Sequence, residues 1–228
     1  MQVNNLKVSP FLLVIALLYI SLLVISNFVG AKIANIFSFN IPTSLLFFPL
    51  IYIMNNIITE IYGFQVSKIL IWSAFSVNFV VIIGCLISTY IPASSLWTHQ
   101  EASEIIFRQS PRILFASLLG YLCSSFINSI ILSKLKVSLL GKYFYIRVLA
   151  STSIASLVDS GIFCSLAFYN TIPNEVLLNI ISLESIFKFS YELIALPIVS
   201  IIVAYVKLKE KLDVYDTTVN YNLFKVFN

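Results

Sequence analysis

A polar stripe runs through residues 48–63, FPLIYIMNNIITEIYG, of an otherwise apolar stretch. The residues that recur at spacings of three and four are Tyr52, Asn56, Thr59, Glu60 and Gly63. At this spacing they share one face of a helix. Amide, hydroxyl and carboxyl groups on such a face can hold a small polar ligand, or they can simply bond to neighbouring helices. The sequence alone leaves both interpretations open.

Three charged residues lie inside apolar segments further along the chain, where helix caps do not explain them. They are Asp159, Lys188 and Glu192. Lys188 and Glu192 are four residues apart and can neutralise each other on one helix face. Asp159 has no partner within one turn of its own helix, so we expect its partner to come from another helix, from water or from a ligand. A charge at mid-bilayer costs about 2.5 to 3.5 kcal/mol on insertion scales, and such groups usually mark a site or a pathway.

The composition indicates the medium around these residues. Of the 228 residues, 59% are hydrophobic and 11% are charged, and the mean hydropathy is +0.97. These values predict an integral membrane protein in contact with the lipid bilayer. The apolar segments continue over about 20 residues without a period of two, which favours an all-α polytopic helix bundle over a barrel. The formal net charge is +4, and the basic residues lie in predicted loops, so we do not expect a nucleic-acid partner.

The sequence lacks the signatures of the main hydrolytic enzymes and of ATP hydrolysis. Neither HExxH nor GxSxG occurs, and the single histidine, His99, falls in a predicted loop. No GxxxxGK[ST] loop is present, so the chain does not use ATP by itself. The three cysteines lie in apolar runs without CxxC spacing. We therefore expect no enzyme, no catalytic residues, no metal site and no cofactor.

Six membrane spans are predicted. They cover residues 10–30, 42–62, 67–90, 113–132, 146–169 and 180–206. The first is interpreted as a retained span, because its apolar part exceeds the usual length in a signal peptide. Pro49 is expected to bend the second span by removing one backbone hydrogen bond. The membrane domain would cover residues 10–207, and two inverted units of three helices are one arrangement open to it.

Basic residues predict the orientation of these spans. The connection between the fourth and fifth spans contains Lys134, Lys136, Lys142 and Arg147 and no acid, and the last segment begins with Lys207, Lys209 and Lys211. Lys and Arg in short connections favour the cytoplasm. The tail 208–228 is therefore expected in the cytoplasm, and an even number of spans places the N-terminal segment 1–9 there as well.

Five blocks of the chain carry a resemblance to a known family. They are SNFVGAK at 26–32, FPLIYIMNNIITEIYG at 48–63, PRILFASLLGYLCSSFINSIILSKLK at 111–136, IRVLASTSIASLVDSGIF at 146–163 and FKFSYELIALPIVSIIVAYVKLKEKLDVYD at 187–216. Over roughly residues 11–216 the chain resembles the bacterial queuosine precursor transporters, a six-helix group placed among the vitamin uptake transporters. The resemblance implies import of a 7-deazaguanine base, such as preQ0, preQ1 or queuine, through the inner membrane for salvage into tRNA queuosine. One departure is clear, because the family usually has Gly then Asp where this chain has Asn55 and Asn56.

The chemistry of such a base suggests roles for the candidate residues. A deazaguanine presents a ring N–H beside an exocyclic amino group, and it also has a carbonyl. We expect one carboxylate to accept both donors, one amide to serve the carbonyl and one aromatic ring to stack on the base. The candidates are the carboxylates Asp159 and Glu192, the amides Asn27, Asn56 and Asn128, and the rings Tyr52, Trp72 and Tyr191, with Glu60 and Lys188 as further site residues.

Two alternatives remain open at the level of the whole protein. The chain is either a transporter complete in itself or the substrate-binding membrane subunit of an uptake system with a separate ATPase. It acts either as a monomer or as a homodimer. The sequence does not decide between them.

Overall fold

The computed structural model describes residues 9–30, 32–36, 39–107, 111–168, 170–171 and 173–226. Its helices are α1 Pro10–Val29, α2 Phe48–Tyr90, α3 Gln100–Phe107, α4 Pro111–Ser138, α5 Phe144–Phe168 and α6 Asn174–Glu210. Within the described ranges five helices are long and apolar enough to cross a membrane. The predicted class of helical membrane bundle is confirmed. The predicted count of six spans is not confirmed by these five helices, and residues 1–8 of the predicted N-terminal segment lie outside the described residues.

Helix α2 contains both the second and the third predicted spans. Its 43 residues would extend about 64 Å, more than twice the hydrocarbon thickness of a bilayer. Gly63 interrupts it with φ 82° and ψ 174°, a backbone conformation that favours glycine because it has no Cβ. Two helical segments result, 48–62 and 64–90, and the first carries the polar stripe.

The start of the second predicted span differs from the expectation. Strands β1 Ile33–Ile36 and β2 Phe39–Pro42 form an antiparallel hairpin, which a 3₁₀ turn joins to α2. Pro49 lies in the first turn of α2, where a missing N–H breaks no intrahelical hydrogen bond. The prediction of a bend at Pro49 is therefore wrong, and the helix is interrupted further along the chain, at Gly63.

The C-terminal tail supplies hydrogen bonds at this break. The amide of Val214 donates to the carbonyl of Ile61 at 3.2 Å, and a carboxylate oxygen of Asp216 accepts from the amide of Phe64 at 2.8 Å. Asp216 therefore caps the second segment of α2 from a distant part of the chain. A Cβ at Gly63 would lie 2.8 Å from Asp216, so the tail also requires a glycine there.

One end of the bundle gathers several chain segments. Ser9, just before α1, hydrogen-bonds Glu210 at the end of α6, and its hydroxyl lies 3.3 Å from that of Tyr62. The end of α4, the start of α5 and the tail meet there too, through Lys136 and Arg147. We call this the basic end. At the opposite end Phe28 of α1 packs against a ring of α3.

Small residues let α4 and α5 approach closely beside the stripe. A Cβ added to Gly120 of α4 would lie 3.0 Å from a carboxylate oxygen of Asp159. Ser124, Ser125 and Ser129 continue the same face of α4, and each is 2% exposed or less. Small side chains of this kind favour close helix packing in membranes, and they bring the polar groups of α5 near α2.

Candidate functional site

The polar stripe of α2 is the part of the molecule from which the site is built. Tyr52, Asn56 and Glu60 follow one another at four-residue intervals, about 6 Å apart along the helix axis. Each is 3% exposed or less, and buried polar groups require hydrogen-bond partners. Those partners come from α4, α5 and α6, and each stripe residue meets a different group.

Glu60 belongs to an ionic network at the basic end. Arg147 of α5 binds both of its carboxylate oxygens, at 2.6 and 3.1 Å, and Lys207 of α6 donates to one of them at 2.7 Å. The Lys136 ammonium of α4 lies 3.9 Å from the same carboxylate. Asp213 of the tail pairs with Lys136 at 2.5 Å and with Lys207 at 2.8 Å. In this Glu60 network three cations face two carboxylates.

Asp213 is the member of the network that lies beyond the helices. Partial burial opposes its charged form, but the ammonium groups of Lys136 and Lys207 prevail and hold the pKa of Asp213 below its ordinary value. Lys136 also donates to the backbone carbonyl of Val214 at 2.7 Å. The network therefore fastens the tail to the helix bundle.

Asp159 of α5 forms an ion pair with Lys188 of α6 at 2.7 Å. Its partner thus comes from another helix, which is one of the sources the sequence left open. Lys188 also donates to the Ser160 hydroxyl at 2.9 Å and to Glu184 at 3.4 Å. The alternative in which Lys188 neutralises Glu192 is not realised, because Asp159 and Glu184 take its ammonium group.

Tyr52 reaches this pair through one serine. Its hydroxyl donates to Ser124 of α4 at 2.8 Å, and the Ser124 hydroxyl lies 3.5 Å from the second carboxylate oxygen of Asp159. Tyr52 is fixed by this contact, and Asp159 already has a cation on its other oxygen.

Asn56 connects a third group that contains no cation. Its amide nitrogen donates to a carboxylate oxygen of Glu192 on α6 at 2.9 Å and to the Thr152 hydroxyl of α5 at 3.2 Å. Its amide oxygen accepts from Asn128 of α4 at 2.7 Å. We call Asn56, Asn128, Thr152 and Glu192 the Glu192 cluster. Four helices therefore meet around one amide.

Among the described residues, two acceptors of this cluster have no hydrogen-bond partner. They are the second carboxylate oxygen of Glu192 and the side-chain oxygen of Asn128. Both residues are 0% exposed. An unsatisfied buried acceptor is expensive, and an unpaired carboxylate more so. The cluster is thus incomplete as it stands, and what it lacks is donors.

The remaining candidates lie elsewhere in the molecule. Asn27 accepts from Ser117 of α4 at 2.9 Å and lines a small pocket between α1, α2, α3 and α4. Trp72 donates to the backbone carbonyl of Leu223 in the tail at 2.8 Å. Tyr191 is half-buried and packs against the apolar core. Among the described residues, no group of three or more His, Cys, Asp or Glu side chains is placed to hold a metal ion.

Comparison with known proteins identifies the family. The sequence profile of the family described as "Putative vitamin uptake transporter" matches residues 42–202. The chain belongs to this family. It is also 28% identical over 178 residues, 76% of each chain, to a protein of Bacillus subtilis (strain 168) described as "Probable queuosine precursor transporter". No solved structure matches the chain.

Membership of a transporter family, together with several apolar helices, makes the chain a multi-pass membrane transporter. The matched residues contain the Asp159 pair and the whole Glu192 cluster. Lys207 and Asp213 of the Glu60 network lie beyond the match. Glu60, Lys136 and Arg147 of that network lie inside the match.

Several participants were not among the residues predicted for the site, and Thr152 and Arg147 illustrate two reasons. Thr152 lies four residues before Ser156 and seven before Asp159, so the spacing rule that revealed the stripe of α2 would also have found it. Arg147 was interpreted as a loop residue that sets orientation, yet it is 0% exposed. No local signal gives its role, because its carboxylate partner is 87 residues away.

Proposed function

We propose that this protein imports queuosine precursors, the 7-deazaguanine bases preQ0, preQ1 or queuine, through the bacterial inner membrane. The similarity to the Bacillus subtilis transporter supports the substrate class. The observation that carries the proposal is the pair of buried, unpartnered acceptors on Glu192 and Asn128. A deazaguanine supplies what these acceptors lack, namely two adjacent N–H donors.

Glu192 is better suited than Asp159 to accept hydrogen bonds from the ring N–H and the exocyclic amino group of the base. The Asp159 carboxylate already accepts from the Lys188 ammonium at 2.7 Å, so a base would have to compete with a buried cation. Among the described residues, Glu192 accepts from an amide alone, at 2.9 Å. Hydrogen bonds from the base to a carboxylate in a water-poor site are charge-assisted and correspondingly strong.

The other candidate residues take supporting roles in the proposal. Asn128 shares the donor edge or holds the exocyclic amino group, and Asn56 orients both acceptors. Tyr52, one turn away on the same face, offers a ring for stacking. Asn27, Trp72 and Tyr191 would meet the base only on its way in or out, whereas Glu60 and Lys188 stabilise the bundle around it.

We also propose six spans with both termini in the cytoplasm. The segment 43–62, which includes the 3₁₀ turn before α2, and the segment 64–90 would each cross the bilayer, with Gly63 at the basic end. Ser9, Tyr62 and Glu210 meet at that end, which an even number of crossings requires. Fusion of a reporter that is active only in the cytoplasm should work at both termini and fail in the connection 91–99. Activity in that connection would contradict the topology.

Import is tested in cells that neither make queuosine nor possess an importer of their own. They express this chain and receive limiting preQ0, preQ1 or queuine, together with the salvage enzyme for each base. Queuosine in tRNA, measured by the mobility shift in a boronate gel, should appear with at least one base. If no base gives a shift although the protein is in the membrane, the proposed substrate class is wrong. A shift that requires an added ATPase would identify a substrate-binding subunit instead.

Two variants connect this assay to the site. Glu192→Gln should lower uptake about tenfold or more, because a charge-assisted hydrogen bond to the base contributes about 1.5 to 3 kcal/mol. Glu175→Gln makes the same change at an exposed position of α6 and should leave uptake unchanged. Excess adenine, which lacks the donor pair, should compete poorly. Normal uptake by Glu192→Gln, or strong competition by adenine, would contradict recognition of the donor edge by Glu192.

A further inference from the structure

Some hydrogen-bond acceptors of the Glu192 cluster have no donor among the described residues. Both amide protons of Asn56 are used, one toward Glu192 and one toward Thr152. Reversing the Asn56 amide would place its nitrogen against the amide nitrogen of Asn128, so its orientation follows from its neighbours. One carboxylate oxygen of Glu192 and the side-chain oxygen of Asn128 are left without a partner. A donor must reach them from outside the described side chains.

The nearby charged groups do not supply that donor. On α6 itself, Lys188 lies one turn away, but it pairs with Asp159 of α5 and with Glu184. On α2, one turn from Asn56, Glu60 is held by Arg147 and Lys207, and Tyr52 donates to Ser124 of α4. The faces that α4 and α5 present to the cluster are Asn128 and Thr152, which are neutral. Among the described residues, no Lys, Arg or His nitrogen forms a salt bridge with Glu192.

Burying an ionised carboxylate without a cation costs more free energy than burying the neutral acid, so such groups take up a proton instead. We infer that Glu192 holds a proton in the ligand-free protein and that binding of the base releases it. Protonation turns one carboxyl oxygen into a donor, which reduces the shortage of donors in the cluster. The inference rests on the proposed function for the identity of the ligand, but not for the protonated state.

Proton and base exclude each other because of the direction of their hydrogen bonds. A carboxylic acid would direct its O–H against an N–H of the base, whereas a carboxylate accepts both N–H groups. The exchange is balanced: carboxylic acid plus free base gives carboxylate with bound base plus one proton in solution. Affinity for the base should therefore fall about tenfold for each unit of pH below the titration of Glu192.

The protonated state is tested without any ligand. Infrared spectra of the purified, ligand-free protein at pH 7 should contain the carbonyl stretch of a protonated carboxylic acid. This band should disappear in Glu192→Gln, whose amide has nearly the same shape, and persist in Glu184→Gln and Asp159→Asn. If Glu192→Gln failed to accumulate, persistence of the band in both controls would carry the assignment. Absence of the band from the unmodified protein at pH 7 would overturn the inference.

Release is tested by adding each base to weakly buffered protein with a pH indicator dye. We expect about one proton released per bound base, and binding that weakens as the pH falls. Binding without proton release, in protein that shows the infrared band, would refute the exclusion step and leave the proposed import intact. Failure of all three bases to bind would instead refute the proposed function and the release step with it. The infrared result would still decide whether Glu192 carries the proton.

Discussion

Removing Glu60 should destabilise the protein more than removing its closest partner, Arg147. Glu60 and Asp213 are the two anions of the network, and Arg147, Lys136 and Lys207 are the three cations. Glu60→Gln leaves three cations with one anion, whereas Arg147→Met leaves two of each. Breaking a buried ion pair by removal of one member costs about 3 to 5 kcal/mol, because the other charge stays buried without compensation.

We therefore expect Glu60→Gln to cost about 3 to 5 kcal/mol. Arg147→Met should cost less, because Lys207 still donates to Glu60 at 2.7 Å. The Arg147→Met variant also loses the two hydrogen bonds that Arg147 donates to the carbonyls of Lys142 and Gly141. Each of these contributes about 1 kcal/mol. The double variant should cost less than the sum of the two single changes, since both remove the same interaction.

Reversible unfolding of the purified protein in mixed micelles, with SDS as denaturant, gives the free energy of unfolding for each variant. Glu175→Gln, an exposed acid on α6, is the matched control and should stay within about 0.5 kcal/mol. A larger cost for Arg147→Met than for Glu60→Gln would refute the charge count. A cost below about 1 kcal/mol for Glu60→Gln would mean that water reaches the network.

Three further predictions concern the break in α2, the tail and the stripe. Gly63→Ala should destabilise by about 1 to 2 kcal/mol or more in the same unfolding assay, because φ is positive and Asp216 lies close. Gly84→Ala, inside the same helix with open space around it, should be neutral or slightly stabilising. The Asp213 carboxylate should stabilise the attachment of the tail at pH values above its ordinary pKa of 3.8. This stabilisation should be lost as the pH falls through the lower pKa that Asp213 has in the folded protein. Protease cleavage of the tail should therefore rise in acid, and Asp213→Asn should remove this pH dependence. Asn56→Asp would face Glu192 across the present 2.9 Å contact. Because two carboxylates at that distance cannot both be ionised, the introduced carboxylate and Glu192 would share one proton in this variant. The infrared band of the carboxylic acid should therefore persist to higher pH in Asn56→Asp than in the unmodified protein. An unchanged titration of the band would refute the sharing of a proton.

The sequence was informative where the determinants are local or periodic. The apolar segments and the face of α2 that carries Tyr52, Asn56 and Glu60 could be predicted, because period and composition depend only on neighbouring residues. The need of Asp159 for a partner outside its own helix could be predicted from that helix alone. The choice between Asp159 and Glu192 as partner for Lys188 did not, because it depends on how α5 and α6 pack.

The break in α2 shows the same limit. The sequence places a boundary between two spans near residue 63, but it predicts a short connection and not a single interrupting residue. The interruption is that short because Val214 and Asp216 satisfy the backbone groups of Ile61 and Phe64. These partners are about 150 residues away, so no local pattern contains them. The hairpin before α2 was missed because its strands are only four residues each.

The number of cations around each stripe residue explains why one level of the bundle remains available to a ligand. Glu60 meets three cations, and the Asp159 group beside Tyr52 contains one. Asn56 and Glu192 lie at the level between these two groups, and no cation forms a salt bridge there among the described residues. The donor edge of a deazaguanine ring offers uncharged N–H donors, which compete poorly with an ammonium group for a carboxylate. In the proposed function the base would therefore bind at the Glu192 cluster, where two acceptors are unpartnered and no cation forms a salt bridge among the described residues.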